Sequence, residues 1–173
     1  DVFNREDFVV IEADELPTFY APKIIRFWDM AGTEVSNQNP DPDYTAGVLM
    51  MYENGITYIM DVHRLREESP KVEKAVAQMA ADDGPAVPIR VEQEPGSAGK
   101  SLINLYSRTI VPGFDFGPVP ASGDKGTRAK PLASAVANGN VKLLNGEWIT
   151  DFIDEMAAFQ LDGKGLAHDD QVD

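Results

Sequence analysis

The chain has 173 residues and no cysteine, so a single domain is expected, and disulfides, zinc–thiolate sites and cysteine nucleophiles are excluded. Its 43% hydrophobic and 25% charged residues are ordinary for a globular protein, and no apolar run approaches the ~20 residues that cross a bilayer. The net charge of −14 argues against nucleic-acid binding, which basic groups drive. Residues 95–130 nevertheless carry five basic side chains against two acidic ones, so a basic strip remains available.

The first predicted strand follows an irregular segment. Residues 1–23 show no strong periodicity and are interpreted as a lead-in, in which residues 8–11 could form a short strand. Residues 24–28 form a short, almost wholly apolar run that is typical of a buried strand, and this run ends at Asp29. The domain proper is therefore expected to span residues 24–173, and the chain is interpreted as a part of a longer protein.

The rest of the chain predicts a hairpin and then alternating helices and strands. Asn54-Gly55 supplies the positive φ values of a tight turn between two strands. Ser69 and Pro70 form a capping start for the first helix. Strands are expected at residues 44–52, 56–62, 87–93 and around 111–118, with a short strand or turn at 141–144, and helices at 69–82, 97–110, 125–137, 148–159 and from 168 onward.

This order of elements predicts an α/β fold. Three antiparallel strands followed by two parallel strands, joined by right-handed crossovers, give a mixed five-stranded sheet with helices on both faces. That is the layout of the ribonuclease H-like fold.

Acidic residues stand at three separated places where elements end or begin. These places are Asp29, Glu94 before Pro95-Gly96, and the adjacent pair Asp169-Asp170. Carboxylates gathered from distant segments repel one another unless a cation lies between them, and hard divalent ions prefer oxygen ligands. A pair of such ions is a common apparatus for cutting a phosphodiester bond, so a metal-dependent nuclease is the leading interpretation.

Two choices of ligand stay open. Glu92 lies two residues before Glu94 and would point to the same face of the strand, so either could be the ligand. On a helix Asp169 and Asp170 diverge by about 100°, so one of them would bind a given ion while the other serves a second ion or the outer shell. His168 beside them could be a general acid, an outer-shell group or a surface residue.

Several basic residues are candidates for holding a nucleic-acid strand. The run from Gly96 to Ser101 resembles a nucleotide-binding loop, but Glu94 occupies the place of its first glycine, so a phosphate of nucleic acid is the better ligand for Lys100. Lys125, Arg128 and Lys130 follow on a glycine-bearing segment, for which a solvated helix start is the competing interpretation.

Five short segments stand out when they are taken together, at residues 27–33 (FWDMAGT), 43–47 (DYTAG), 91–100 (VEQEPGSAGK), 123–129 (GDKGTRA) and 168–173 (HDDQVD). In this order they resemble the nuclease domain of tailed-bacteriophage large terminases. One departure is Glu94, where related sequences often have Asp.

The resemblance implies an endonuclease that cuts concatemeric viral DNA during genome packaging. The family's metal ligands map onto Asp29, Glu94 and the Asp169-Asp170 pair, with Asp170 preferred, and two ions of Mg²⁺ or Mn²⁺ are implied, bridged by Asp29. Double-stranded DNA, a packaging ATPase domain in the same full-length chain, the portal and the small terminase are the implied partners. The implied location is the host cytoplasm, with no membrane association.

Two alternatives stay open. A Holliday-junction resolvase or transposase-like enzyme would use the same fold and the same acids, and it would differ by cutting junctions as a dimer. A non-catalytic acidic module of the packaging motor would show no metal-dependent cleavage, although it would not require acids at separated strand and helix ends.

Overall fold

The structure is a computed structural model that describes residues 2–31, 38, 43–93, 96–120 and 124–159, without the side chains of residues 125 and 126. No helix in these ranges is both long enough and apolar enough to cross a membrane. The predicted fifth helix, from residue 168, lies outside them.

Seven strands of the described residues form one mixed sheet. Its order is β1-β7-β4-β3-β2-β5-β6, and β7 is parallel to β1 and β4 while β5 is parallel to β2 and β6. The two-residue turn between β3 and β4 makes that pair antiparallel, with φ of 53° at Asn54 and 79° at Gly55, as predicted. The strands are β1 (Val9–Ile11), β2 (Lys23–Asp29), β3 (Thr45–Glu53), β4 (Ile56–Leu65), β5 (Ile89–Gln93), β6 (Phe116–Pro120) and β7 (Val141–Leu144).

The α/β class with a mixed sheet is confirmed, but the predicted count of five strands is wrong. The additional strands are β1 and β7, which pair with each other in parallel and lie where the sequence offered a possible short strand and a short strand or turn. They have three and four residues. A run of that length is too short for alternation to identify it, and its pairing is fixed by partners far away in the sequence.

Four α-helices occur in the described part of the chain. The predicted helix over 97–110 is α-helical only to Leu105, and residues Tyr106–Ile110 form a π-helical turn in which the Val111 amide donates to the Tyr106 carbonyl at 2.9 Å. The residue that caps the first helix is Glu68 rather than the predicted Ser69. The helices are α1 (Ser69–Asp83), α2 (Ser97–Leu105), α3 (Lys125–Ala137) and α4 (Ile149–Ala158).

The chain divides into two compact units. The first contains Asp1–Ile24, Val48–His63 and Ser122–Asp173, and the second contains Ile25–Gly47 and Arg64–Ala121. Each unit has its own hydrophobic core.

The core of the first unit includes side chains from the predicted lead-in. Phe3 and Phe8 are buried there with residues of β4, β7 and the helices. Burial of several aromatic rings supplies a large hydrophobic contribution, because each removes about 150–250 Å² of surface from water. The main members are Phe3, Phe8, Ile59, Leu143, Phe152, Met156 and Phe159.

The core of the second unit lies on one face of β2 and β5. Val72, Val76 and Ala80 project from α1 at the spacing of a single helix face and are buried. They belong to one cluster with Trp28, Ile89, Val91, Tyr106 and Val111. This face of the two strands is therefore covered and apolar apart from Arg26, and alternate residues of β2 and β5 must point to the other face.

Candidate active site

The end of β2 is held in place by Trp28. Its side chain is 0% exposed, and its ring lies against Gly47 of β3 so closely that a Cβ added there would be 2.6 Å from two ring carbons. Only glycine accommodates this approach, because such a distance is far inside van der Waals contact. The next residue, Asp29, is thereby positioned by the buried ring before it.

A buried ion pair also fixes β2. Arg26 is 2% exposed and donates from Nε and Nη2 to the two carboxylate oxygens of Asp83, both at 2.8 Å. Its Nη1 donates to the carbonyl of Gly47 at 3.1 Å. A bidentate pair of this kind restricts orientation as well as distance. The strand is therefore tied to the end of α1 and to β3.

The register of β2 and β5 brings two carboxylates together. The strands are parallel, and Arg26 pairs with Ile89 and Trp28 with Val91. Continuing this register by one residue places Asp29 beside Glu92, on strands about 4.8 Å apart. Both half-buried side chains point to the face opposite Trp28 and Val91. The register therefore places Asp29 next to Glu92, the residue that the sequence left open as an alternative to Glu94.

The start of β3 lies at the same edge of the sheet. The Ala31 amide, just beyond β2, donates to Thr45 Oγ1 at 2.9 Å. Strand β3 therefore begins where β2 ends and runs antiparallel to it. Because β4 is antiparallel to β3 in turn, the carboxyl end of β4 comes to this edge too.

One cluster at this edge was not predicted from the sequence. The guanidinium carbons of Arg64 and Arg66 each lie 4.0 Å from the ring centroid of Tyr44. Arg64 is near the end of β4, Arg66 follows the strand, and Tyr44 precedes β3. The sequence signal was the alternation Arg64-Leu65-Arg66, which puts both arginines on one side of an extended chain.

The other predicted acids lie outside the described residues. Glu94 and the pair Asp169-Asp170 are among the residues that the structure does not describe. Within the described ranges, no group of three or more histidine, aspartate or glutamate side chains is arranged to hold a metal ion. Asp29 and Glu92 supply oxygen donors of the type that Mg²⁺ and Mn²⁺ accept.

The predicted basic residues fall on two helices. Lys100 is exposed in the first turns of α2, in the same unit as Asp29. On α3, Arg128 is half-buried and Lys130 is exposed, while the side chain of Lys125 is not described. The start of this helix is capped by Asp124, whose Oδ1 accepts from the Thr127 amide at 2.8 Å. The glycine-bearing segment is therefore the capped start of a helix from Lys125.

Solved structures of terminase nuclease domains have the same fold. The large terminase nuclease of thermophilic phage G20c with bound magnesium has a TM-score of 0.61 at 20% identity, covering 99% of this chain and 92% of that one. The human cytomegalovirus terminase nuclease domain, soaked with manganese and inhibitor-bound, has a TM-score of 0.66 at 14% identity, covering 98% and 90%. The P22 large terminase nuclease domain has a TM-score of 0.64 at 14% identity, covering 88% and 77%.

Of the two sequence comparisons, one gives a match. No curated protein matches the chain significantly. The sequence model of the family described as the terminase RNaseH-like domain matches residues 26–173. The ribonuclease H-like fold and the resemblance seen in the sequence are confirmed, and the chain belongs to the terminase RNaseH-like domain family.

Proposed function

We propose that this domain is a divalent-metal-dependent endonuclease that cuts concatemeric viral DNA during genome packaging. The observation that carries the proposal is the placement of Asp29 beside Glu92 at the carboxyl ends of two parallel strands, in a member of the terminase family. Ligand sites of open α/β sheets collect at this end of the strands.

Asp29, Glu94, Asp169 and Asp170 are the residues we propose to hold the metal. Structural neighbours with bound magnesium or soaked with manganese support this choice of ion. A bound pair of such ions supplies an activated water for in-line attack and charge stabilisation at the leaving 3′ oxygen. Asp29, Glu94 and Asp170 would supply the main oxygen ligands to this metal, and Asp169 would orient the site.

The contribution of the protein itself is positional. Trp28, packed on Gly47, and Arg26, paired with Asp83, hold the backbone that carries Asp29. The parallel pairing of β2 with β5 sets the spacing to Glu92. A rigid carboxylate placed on a strand stays within the narrow geometry that metal-assisted hydrolysis needs.

Lys100, Lys125, Arg128 and Lys130 are the proposed contacts to the phosphates of double-stranded DNA. By family membership, the proposed setting is the packaging motor in the host cytoplasm, with a packaging ATPase domain in the full-length protein and with portal and small terminase as partners.

Cleavage of supercoiled plasmid at low salt tests this function. Nicking is expected with Mn²⁺ or Mg²⁺ and is expected to disappear with EDTA. A linear duplex and a four-way junction run in parallel distinguish the terminase reaction from junction resolution. Preferential cutting of the junction would favour a resolvase, and no cleavage of any substrate with saturating metal would contradict the proposal.

The choice between the two glutamates is tested in the same assay. We expect Glu94→Gln to lower the nicking rate more than 100-fold, because it removes a metal ligand. Glu92→Gln is expected to lower it about 10- to 100-fold, which is the usual cost of altering a group next to the ligands. The opposite order would assign the metal to Glu92.

A further inference from the structure

The feature that the proposed function does not use is the cluster of Tyr44, Arg64 and Arg66. Both guanidinium carbons lie 4.0 Å from one ring centroid, so they are no more than about 8 Å apart. All three side chains are partly exposed. Cations over a tyrosine face gain a cation–π interaction, but two like charges this close also repel each other.

The cluster lies at the edge of the sheet that carries Asp29. Thr45, next to Tyr44, accepts the hydrogen bond from Ala31 at 2.9 Å, and Ala31 is two residues beyond Asp29. The three residues of the cluster also belong to the same compact unit as Asp29 and Glu92. The arginines are therefore at the acidic end of the sheet and not on a remote surface.

The chemistry of the cluster suits a phosphodiester. Arginine presents a planar fork of donors that matches two phosphate oxygens, and stacking on a ring holds the guanidinium group in a fixed plane. An anion near both guanidinium groups offsets their repulsion. Of the acids adjoining the cluster in sequence, Asp43 precedes Tyr44, and Glu67 is engaged by Lys71 at 3.5 Å.

A chain with a net charge of −14 also needs local cations to accept DNA. Long-range attraction is not available to it, so binding must rely on close contacts to individual phosphates. Two arginines beside a carboxylate site would offset repulsion between the DNA backbone and the acids.

We propose that Tyr44, Arg64 and Arg66 form a binding site for a phosphodiester of DNA next to the carboxylates. The inference rests on the proposed nuclease function, which it extends by assigning a contact for the strand at the sheet edge.

Binding of a labelled 30-base-pair duplex without metal tests the site separately from cleavage. The test variant is Arg64→Gln/Arg66→Gln. The control is Arg5→Gln/Lys23→Gln, which removes the same charge from two exposed residues, of which Arg5 pairs with Asp154 and Lys23 begins β2. Exposed pairs of this kind contribute little to stability.

We expect the test variant to raise Kd at least tenfold at low salt. The slope of log Kd against log salt should fall by about one for each phosphate that the variant no longer binds. The control should stay within twofold of the wild type with the same slope. Tyr44→Phe should keep both the affinity and the slope, because the ring is retained.

If Arg64→Gln/Arg66→Gln fails to fold, Arg64→Lys/Arg66→Lys replaces it. This variant keeps the charge but loses the planar fork, and a threefold or larger rise in Kd is expected. Wild-type Kd and slope in the arginine variants would overturn the inference, as would an equal effect in the control or no duplex binding by the wild type. Plasmid nicking is measured on the same proteins: duplex binding without cleavage would contradict the nuclease function alone, and cleavage insensitive to the arginines would contradict this site alone.

Discussion

At the scale of single residues, the contact of Trp28 with Gly47 determines where Asp29 lies. Gly47→Ala would push a methyl group into the indole ring, because the new carbon would be only 2.6 Å from the nearest ring atoms. We expect the free energy of unfolding to fall by about 1–3 kcal/mol, as in other overpacked cores. Urea unfolding measures this effect.

Gly117→Ala is the matched control for that substitution. An added Cβ there meets only the Arg90 side chain at 3.9 Å, which is an ordinary contact distance. Its free energy of unfolding should stay close to that of the wild type. Equal effects at the two glycines would contradict the role assigned to the Trp28 contact.

Tyr106 gives a prediction on pH. Burial, together with the nearby negative charge of Glu73, raises the pKa of Tyr106 from 10.0 to about 12. The folded state therefore favours the neutral phenol, so the contribution of Tyr106 to stability is complete below pH 10 and is lost as the pH rises toward 12. Two pKa units correspond to about 3 kcal/mol.

Tyr106→Phe should therefore move the alkaline unfolding midpoint to higher pH. The phenylalanine ring can still stack on Phe116, whose centroid lies 5.9 Å away, but it has no proton to lose. Circular dichroism followed from pH 9 to pH 12.5 measures the midpoint. An unchanged midpoint would show that ionisation of Tyr106 does not limit stability at high pH.

At the scale of elements, the Arg26–Asp83 pair joins β2 to the end of α1. Arg26→Met would leave the Asp83 carboxylate, whose side chain is only 8% exposed, without its bidentate partner. The expected loss is about 3–5 kcal/mol, because an uncompensated buried charge costs more than the pair contributes. Guanidinium unfolding provides the measurement.

The double variant Arg26→Met/Asp83→Leu separates charge from packing. Removing both charges should recover most of the loss, since no buried ion remains without a partner. The single variant Asp83→Leu completes the comparison. If the double variant lost as much stability as Arg26→Met and Asp83→Leu together, the two side chains would act independently, and this explanation would be contradicted.

The main elements were predictable from local signals, and the exceptions have physical reasons. The Asn54-Gly55 turn and the end of α1 before Gly84, where φ is 92°, follow from backbone preferences that act within a few residues. The π-helical turn after Leu105 could not be predicted from such local preferences. It begins at the buried Tyr106, and that burial depends on tertiary packing. Arg26 was likewise hidden within an apolar run, and its partner Asp83 is far away in sequence.

At the scale of the whole molecule, the sequence predicted Asp29 at the end of a strand but not what surrounds it. The end of β2 at Asp29 and the strand before Glu94 were evident from composition. The sequence alone could not show that Asp29 lies next to Glu92, because their adjacency depends on the parallel register of β2 and β5 in the folded sheet. The Tyr44–Arg64–Arg66 cluster also depends on neighbouring strands and could not be derived from spacing alone.

The balance of charge links these observations to function. Under the proposed function, a chain with a net charge of −14 would bind DNA where basic side chains are concentrated and where bound metal offsets the carboxylates. Divalent ions are therefore expected to have two roles at the sheet edge. They would take part in catalysis, and they would reduce the repulsion between the carboxylates and the DNA phosphates.

The most direct test of the central claim is plasmid nicking with Mn²⁺ by the wild type, Asp29→Asn and Asp14→Asn. Asp14 is exposed in the turn Ala13–Glu15, so its variant makes the same chemical change away from the site. We predict that Asp29→Asn loses at least 100-fold in nicking rate while Asp14→Asn keeps the wild-type rate. Metal-dependent nicking that survives in Asp29→Asn would contradict the assignment of the active site to this edge of the sheet.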